Sequence, residues 1–192
     1  MRPLLLPLLL SIILSACQPA PVPQHDGFEK AYTEAGRNIR LTLPGDQHRY
    51  RQLQATVAVD DTVIRSRVPM SFPVVDHRLA DITGNGRLEL VLMVEKSTAY
   101  DPVVRKRVFL YHLQQNRLKP LWLSSRLHQP LEALAIIPVP SGKALVRTVE
   151  HEANGNFRVS EYTWRQFGLE WLRDRGTDLS LNAAQKLLHH VP

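Results

Sequence analysis

Residues 80–95 read ADITGNGRLELVLMVE, and residues 135–150 read AIIPVPSGKALVRTVE. The fold turns on these two stretches. In each, a short apolar run leads through a glycine-containing loop into a strand rich in β-branched and aliphatic residues. Ala80-Asp81-Ile82 and Gly86-Arg87 match Ala135-Ile136-Ile137 and Gly142-Lys143. Leu90-Val91 and Val94-Glu95 match Leu145-Val146 and Val149-Glu150. With Tyr111 aligned on Tyr162, VFLYHL corresponds to VSEYTW, Leu118 falls on Leu169, and Trp122 and Trp171 follow nearby. Each copy runs for about 50 residues and holds four strand candidates, the size of one propeller blade. The units span about 76–123 and 132–173. One four-stranded sheet cannot bury both faces alone, so repeats of this kind stack.

The two-residue period extends upstream. Ile39, Leu41 and Leu43 alternate with polar residues, as do Leu53, Ala55, Val57 and Val59. Asp60-Asp61 marks a turn before a β-branched stretch at 62–68, and Pro69 and Pro73 punctuate the chain before a run from Val74. Further strands are expected at 88–95, 107–113, 118–123, 131–139, 144–150, 157–164 and 169–172. This pattern predicts an all-β domain of antiparallel hairpins in two four-stranded repeat units, propeller-blade-like or sandwich, with 38–75 as a degenerate third unit. A closed propeller takes about four blades or more, so a sandwich or an open propeller fragment fits the length better. Two short helices are expected. FEKAYTEA at 28–35 sets Phe28, Ala31, Tyr32 and Ala35 at helical spacing, with Gly36 as the stop. At 182–189, Ala183, Ala184, Leu187 and Leu188 form an apolar face, with Asn182 or Ser180 as cap.

Residues 1–17 carry a separate message. Arg2 precedes an apolar run at 4–14, then Leu14-Ser15-Ala16-Cys17, which holds the chain's single cysteine. This is the layout of a secretory signal peptide, and it is too short for a transmembrane helix, which needs about 20 apolar residues. The tetrapeptide resembles the lipobox of bacterial lipoproteins. The resemblance implies cleavage before Cys17, a diacylglycerol on its thiol, and fatty acyl chains such as palmitate holding the protein to a membrane. Gln18 in place of the aspartate that signals inner-membrane retention implies the periplasmic face of the outer membrane. The organisation expected is a signal peptide at 1–16, a tether at 17–27 and a β-rich repeat domain at 28–192. CQPAPVPQHDG, with alternating Pro19, Pro21 and Pro23, favours extended, solvated backbone.

With Cys17 acylated, no thiol is left for a disulfide, a metal site or a nucleophile. Loss of Arg2 with the signal takes the formal charge from +6 to +5. That modest excess suits a solvated surface, or contact with anionic headgroups or an acidic polymer. Nucleic acid is not an expected partner, since no helix-spaced basic cluster or aromatic platform is present.

Asp81-Ile82-Thr83-Gly84-Asn85-Gly86-Arg87-Leu88-Glu89 resembles the Asp-rich turn of FG-GAP and VCBS repeats, the integrin-type propeller blades. In that family the loop joins two strands and its carboxylates hold calcium. The resemblance implies Asp81, Asn85 and Glu89 as oxygen donors for a weak calcium site. Thr83 replaces a carboxylate, and the second copy has no acidic side chain in its loop. Since affinity follows ligand charge, a structural hairpin loop without calcium is the favoured expectation.

Eight histidines invite an enzyme hypothesis. No HExxH, no Gly-x-Ser-x-Gly elbow and no phosphate loop occurs. His77, beside Asp76 and Asp81, is the densest polar cluster, and its expected place is a solvated turn. The sequence therefore predicts no catalytic residues, no cofactor and no enzyme. It predicts a binding or scaffold module for an envelope protein or polymer. The alternatives are an envelope hydrolase or carbohydrate-active enzyme, and a calcium-dependent adhesive module. Two facing carboxylates in a cleft, or His77 with Asp81 and Glu89 in a pocket, would favour the enzyme. An apolar patch rimmed by arginines would favour the binding module.

Overall fold

The computed structural model describes residues 27–45, 51–124, 127–140 and 142–190. The signal stretch, Cys17 and most of the tether lie outside the described residues. Strands β1 (Phe28–Glu34), β2 (Arg37–Leu43), β3 (Gln52–Val59) and β4 (Thr62–Pro69) form one antiparallel sheet in that order. Strands β5 (Val74–Ala80), β6 (Glu89–Thr98), β7 (Asp101–Gln114) and β8 (Arg117–Leu123) form a second meander. A third follows in β9 (Leu131–Ile137), β10 (Leu145–His151), β11 (Phe157–Arg165) and β12 (Gly168–Leu179). The last two meanders make one eight-stranded sheet; among the described residues their strand pairing meets where Lys106 of β7 lies opposite Leu131 of β9. Helix α1 (Leu181–His189) closes the chain.

The cores alternate with the meanders. Ile39, Leu41, Leu43, Leu53, Ala55 and Val57 meet Leu90, Leu92, Val94, Phe109 and Tyr111 in the first. Val91, Met93, Val108 and Leu110, on the opposite faces of β6 and β7, meet Leu134, Val146 and Tyr162 in the second. Ala135, Ile137, Val149 and Val159 meet Ala184 and Leu188 of α1 in the third. Because β6 is covered on both faces, its sequence is an unbroken apolar run from Leu90 to Val94. The outer face of the first sheet, with Arg40, Gln54, Arg65 and Arg67, is exposed. A polar end unit and a helical lid let three blade-like units stack without closing a ring.

The helix expected at 28–35 is a strand. Phe28 and Tyr32 are four apart, a spacing that serves a helix turn and a strand face equally. Pairing decides it: β1 runs the length of β2, from Phe28 opposite Leu43 to Glu34 opposite Arg37. Gly36 is no helix stop. Ala35 and Gly36, with φ of 48° and 73°, form the two-residue turn whose twist suits a hairpin. The C-terminal helix forms as expected, with Ser180 as the cap: its hydroxyl accepts from the Ala183 N–H. Ala183 itself is exposed.

The repeat is real in space but displaced by a residue. Leu90 lies opposite Tyr111, and Val146 lies opposite Tyr162. Tyr111 and Tyr162 both face the preceding meander, so their alignment stands, while Leu90 corresponds to Val146 rather than to Leu145.

The connections gather at two ends. At the first, Gly27 sits against the backbone of Leu43 and Gly45. Arg51 Nε donates to the Pro44 carbonyl (3.0 Å), Met70 N–H to Arg51 O (2.9 Å), and Glu95 N–H to Pro73 O (3.0 Å). At the other end, Ala144 N–H donates to Asp81 O (2.8 Å), Leu88 N–H to Glu34 Oε1 (2.7 Å), and Lys143 Nζ to the Trp164 carbonyl.

Candidate functional site

The loop between β5 and β6 brings Asp81, Asn85 and Glu89 onto one turn, closed by its own amides. Asp81 Oδ1 accepts from the N–H groups of Gly84 (2.6 Å) and Asn85 (3.1 Å), and Oδ2 from Gly86 (2.7 Å). Asn85 Oδ1 accepts from Arg87 N–H (2.8 Å). Gly84 and Gly86 have φ of 79° and 77°, which only glycine adopts without strain. Glu89 is buried beneath the loop. Its Oε2 accepts from Ile82 N–H (2.8 Å) and Thr83 N–H (3.1 Å), its Oε1 from Thr83 Oγ1 (3.1 Å). Burial pushes the Glu89 carboxyl above its ordinary value, and these hydrogen bonds only partly oppose it. The space between Glu34, Asn85, Glu89 and His112 is only about 40 Å³. Among the described residues, no three His, Cys, Asp or Glu side chains converge as a metal-holding group. Amide dipoles of the loop face both carboxylates. The second repeat loop adds Lys143, whose stem packs over Gly84.

His77 does not join this loop. It lies on β5 opposite Leu92, while Glu89 pairs with Ala80 three positions along. Its ring stacks on Phe28 at 4.1 Å between centroids. Burial holds its pKa below the ordinary value.

A buried carboxylate escaped the sequence reading. Glu150 is fully buried on β10, at the position where the sister strand carries Val94. Its Oε1 accepts from Thr148 Oγ1 (2.7 Å) and Tyr162 OH (2.8 Å), and its Oε2 from Gln129 N–H (2.9 Å). Burial raises its pKa, and that of Tyr162 is pushed up by burial and by Glu150. Gln129 also lines a cavity of about 290 Å³ with Arg105, Lys106 and His128. Perturbed groups beside a cleft are a functional signal. Here every Glu150 oxygen is taken, so the network fastens segment 127–131 to the third meander. The only signal in the sequence was two strands carrying Thr148, Glu150, Ser160 and Tyr162 at alternate positions.

The third feature is the free edge of the large sheet. Among the described residues, β12 is its last strand and pairs only with β11. From Gly168 to Trp171 the pairing is regular, and irregularities follow beyond it. Along this stretch Phe167 is 87% exposed, Trp171 48% and Leu172 42%. Arg165, ion-paired with Glu170 at 3.4 Å, and Arg173, which donates to Glu161 Oε2 at 2.6 Å, flank these apolar groups. Trp171 Nε1 donates to Asp174 Oδ1 (3.0 Å), which fixes the indole at the edge. No protein-family model and no curated protein matches this sequence.

Proposed function

We propose that this chain is a lipoprotein anchored through Cys17 to the periplasmic face of the outer membrane, and that it binds an envelope protein without catalysing a reaction. The observation that carries the reading is the apolar edge of β12, with Phe167, Trp171 and Leu172 exposed between Arg165 and Arg173. An unpaired strand offers a row of backbone donors and acceptors, and exposed aromatics beside it supply anchors. An extended polypeptide matches both features, which favours a protein over a glycan. The edge starts at the end of the body opposite Gly27, where an anchored module would meet its partner. Lipid confinement raises the effective concentration of a weak binder near that partner.

The test is site-specific photocrosslinking from position 172 in intact envelopes. One dominant protein neighbour is expected, and Phe167→Glu and Trp171→Glu should each reduce its yield at least tenfold, Phe167→Glu with the melting temperature in place. Crosslinks to glycan alone, or a yield indifferent to both substitutions, would overturn the reading.

A further inference from the structure

The β6–β7 hairpin outgrows the sheet to which it belongs. β5 ends its ladder at the Val74–Val94 pair, the last backbone hydrogen bond on that side is Glu95 N–H to Pro73 O, and beyond it Lys96 Nζ lies over the Phe72 ring at 4.5 Å. The two strands continue as a ribbon through Lys96–Arg105 and Thr98–Asp101 pairs. Its four further residues, about 13 Å if straight, curve back beside segment 127–131, with which Tyr100, Asp101 and Pro102 bound the cavity of about 290 Å³. A bare two-stranded ribbon is marginal in water. This one is held at its root by a buried arginine. Arg107 Nε donates to Lys96 O (2.6 Å), and its Nη2 donates to Asp101 O (3.2 Å) and Val103 O (3.0 Å). The same Nη2 lies 3.0 Å from Asp101 Oδ2. Burying a guanidinium is costly unless it is fully paired, so the ribbon is a built feature.

Its tip is apolar and its stem is basic. Tyr100 is 91% exposed, Val104 66% and Val103 50%. Behind them stand Lys96, Arg105, which is 3.7 Å from Asp101 Oδ2 and keeps its side chain 40% exposed, and Lys106, paired with Glu132 at 2.8 Å; Glu95 is the ribbon's other acidic group. Tyrosine with aliphatic neighbours, backed by cations, is the composition that settles at a membrane–water boundary. The ribbon also leaves the body at the end where the chain enters it. Gly27, Pro44, Arg51, Met70, Pro73 and Glu95 are linked there by the backbone contacts and hydrogen bonds of that end. The segment from Cys17 to Gly27 spans at most about 35 Å.

From these observations we infer that the β6–β7 ribbon is a membrane foot: Tyr100, Val103 and Val104 enter the headgroup layer of an anionic phospholipid surface, and Lys96 and Arg105 meet its phosphates. The inference rests on the lipid-anchored reading for its location. It adds a second, orienting contact that sets the β12 edge away from the bilayer. One acyl-bearing tether fixes distance only, whereas a tether and a foot fix orientation.

The experiment uses the full chain, in which an acylated Cys17 leaves no free thiol, carrying Val104→Cys or Phe167→Cys labelled with an environment-sensitive dye. Vesicles of phosphatidylethanolamine with phosphatidylglycerol are compared with phosphatidylcholine alone. Position 104 should shift to the blue and be quenched by brominated lipid on the anionic vesicles. Position 167, at the opposite end, should stay water-like. Arg105→Glu should weaken the response at least about fivefold, the effect of about one basic contact. The inference is overturned if the chain floats with vesicles while position 104 stays water-like, or if position 167 is the one quenched. The mass of the N-terminal peptide reports the anchor independently. If it shows no lipid, the same labels in a Cys17→Ser chain titrated with anionic vesicles decide the foot alone: a salt-sensitive blue shift at 104 supports it, and none refutes it.

Discussion

Arg147 shows how one residue ties two elements. Its guanidinium is buried and gives Nε and Nη2 to Glu161 Oε1 at 3.0 and 2.7 Å. Its Nη1 reaches the carbonyls of Leu187, Leu188 and His190 at 3.1, 3.2 and 2.5 Å. Those carbonyls lie at the negative end of α1, where a cation is favourable, and Leu187 O also accepts the His190 N–H. Replacing Arg147 with Met keeps much of the volume and removes both sets of bonds. It leaves Glu161 buried with only Arg173, so a loss of about 3 kcal/mol is expected, the lower end for breaking a buried pair. Urea unfolding measures it. Adding Glu161→Leu should recover part of the loss. A double variant worse than the single by the full cost of a second site would show that the two residues do not act as a pair.

At the scale of elements, the strands with a clean two-residue period were legible, and so was α1. The 28–34 strand was not, because Phe28 and Tyr32 fit either period and only pairing with β2 separates them. The apolar alternation of β12 ends near Leu172, where Arg173, Asp174, Arg175 and Gly176 break it; pairing with β11 carries the strand to Leu179. Of the candidate site, the 81–89 turn was legible from its glycines. Glu150 was not, since its partners Gln129, Thr148 and Tyr162 come from separate segments. The turn itself yields a prediction. Asp81 satisfies three backbone N–H groups, so Asp81→Ala should cost about 1–2 kcal/mol whether or not calcium is added. Millimolar calcium should leave the melting temperature of the unaltered protein in place. A rise of several degrees that Asp81→Ala abolishes would make the turn a cation site, because a ligand of the native state raises that temperature.

For the molecule as a whole, two sets of carboxylates pull stability in opposite directions with pH. Burial would raise Glu132, Glu161 and Asp174, but hydrogen bonds outweigh it: Lys106 and His151 hold Glu132 low, Arg147 and Arg173 hold Glu161 low, and Trp171 and Ser160 hold Asp174 low. A depressed carboxylate stabilises the fold above its unfolded pKa, and that contribution is lost as the solution is acidified. Glu89 and Glu150 are pushed above the ordinary 4.5, chiefly by burial. Their contribution is fully present below that value and is lost as pH rises through their folded pKa. His77 and His112, depressed by burial, add stability as pH approaches 6.5 from below. The total curve therefore mixes three trends, but a difference curve isolates one. Glu89→Gln with Glu150→Gln removes only the two raised groups. Relative to the unaltered protein, the double variant should be at its worst below pH 4.5, where the protonated carboxyls carry no charge penalty. It should then gain as pH rises through their folded pKa. Urea midpoints measured from pH 4 to pH 8 give that difference directly. A difference that stays constant across the range would mean that neither buried carboxylate changes its proton affinity on folding. The stack would then tolerate buried charge between its layers.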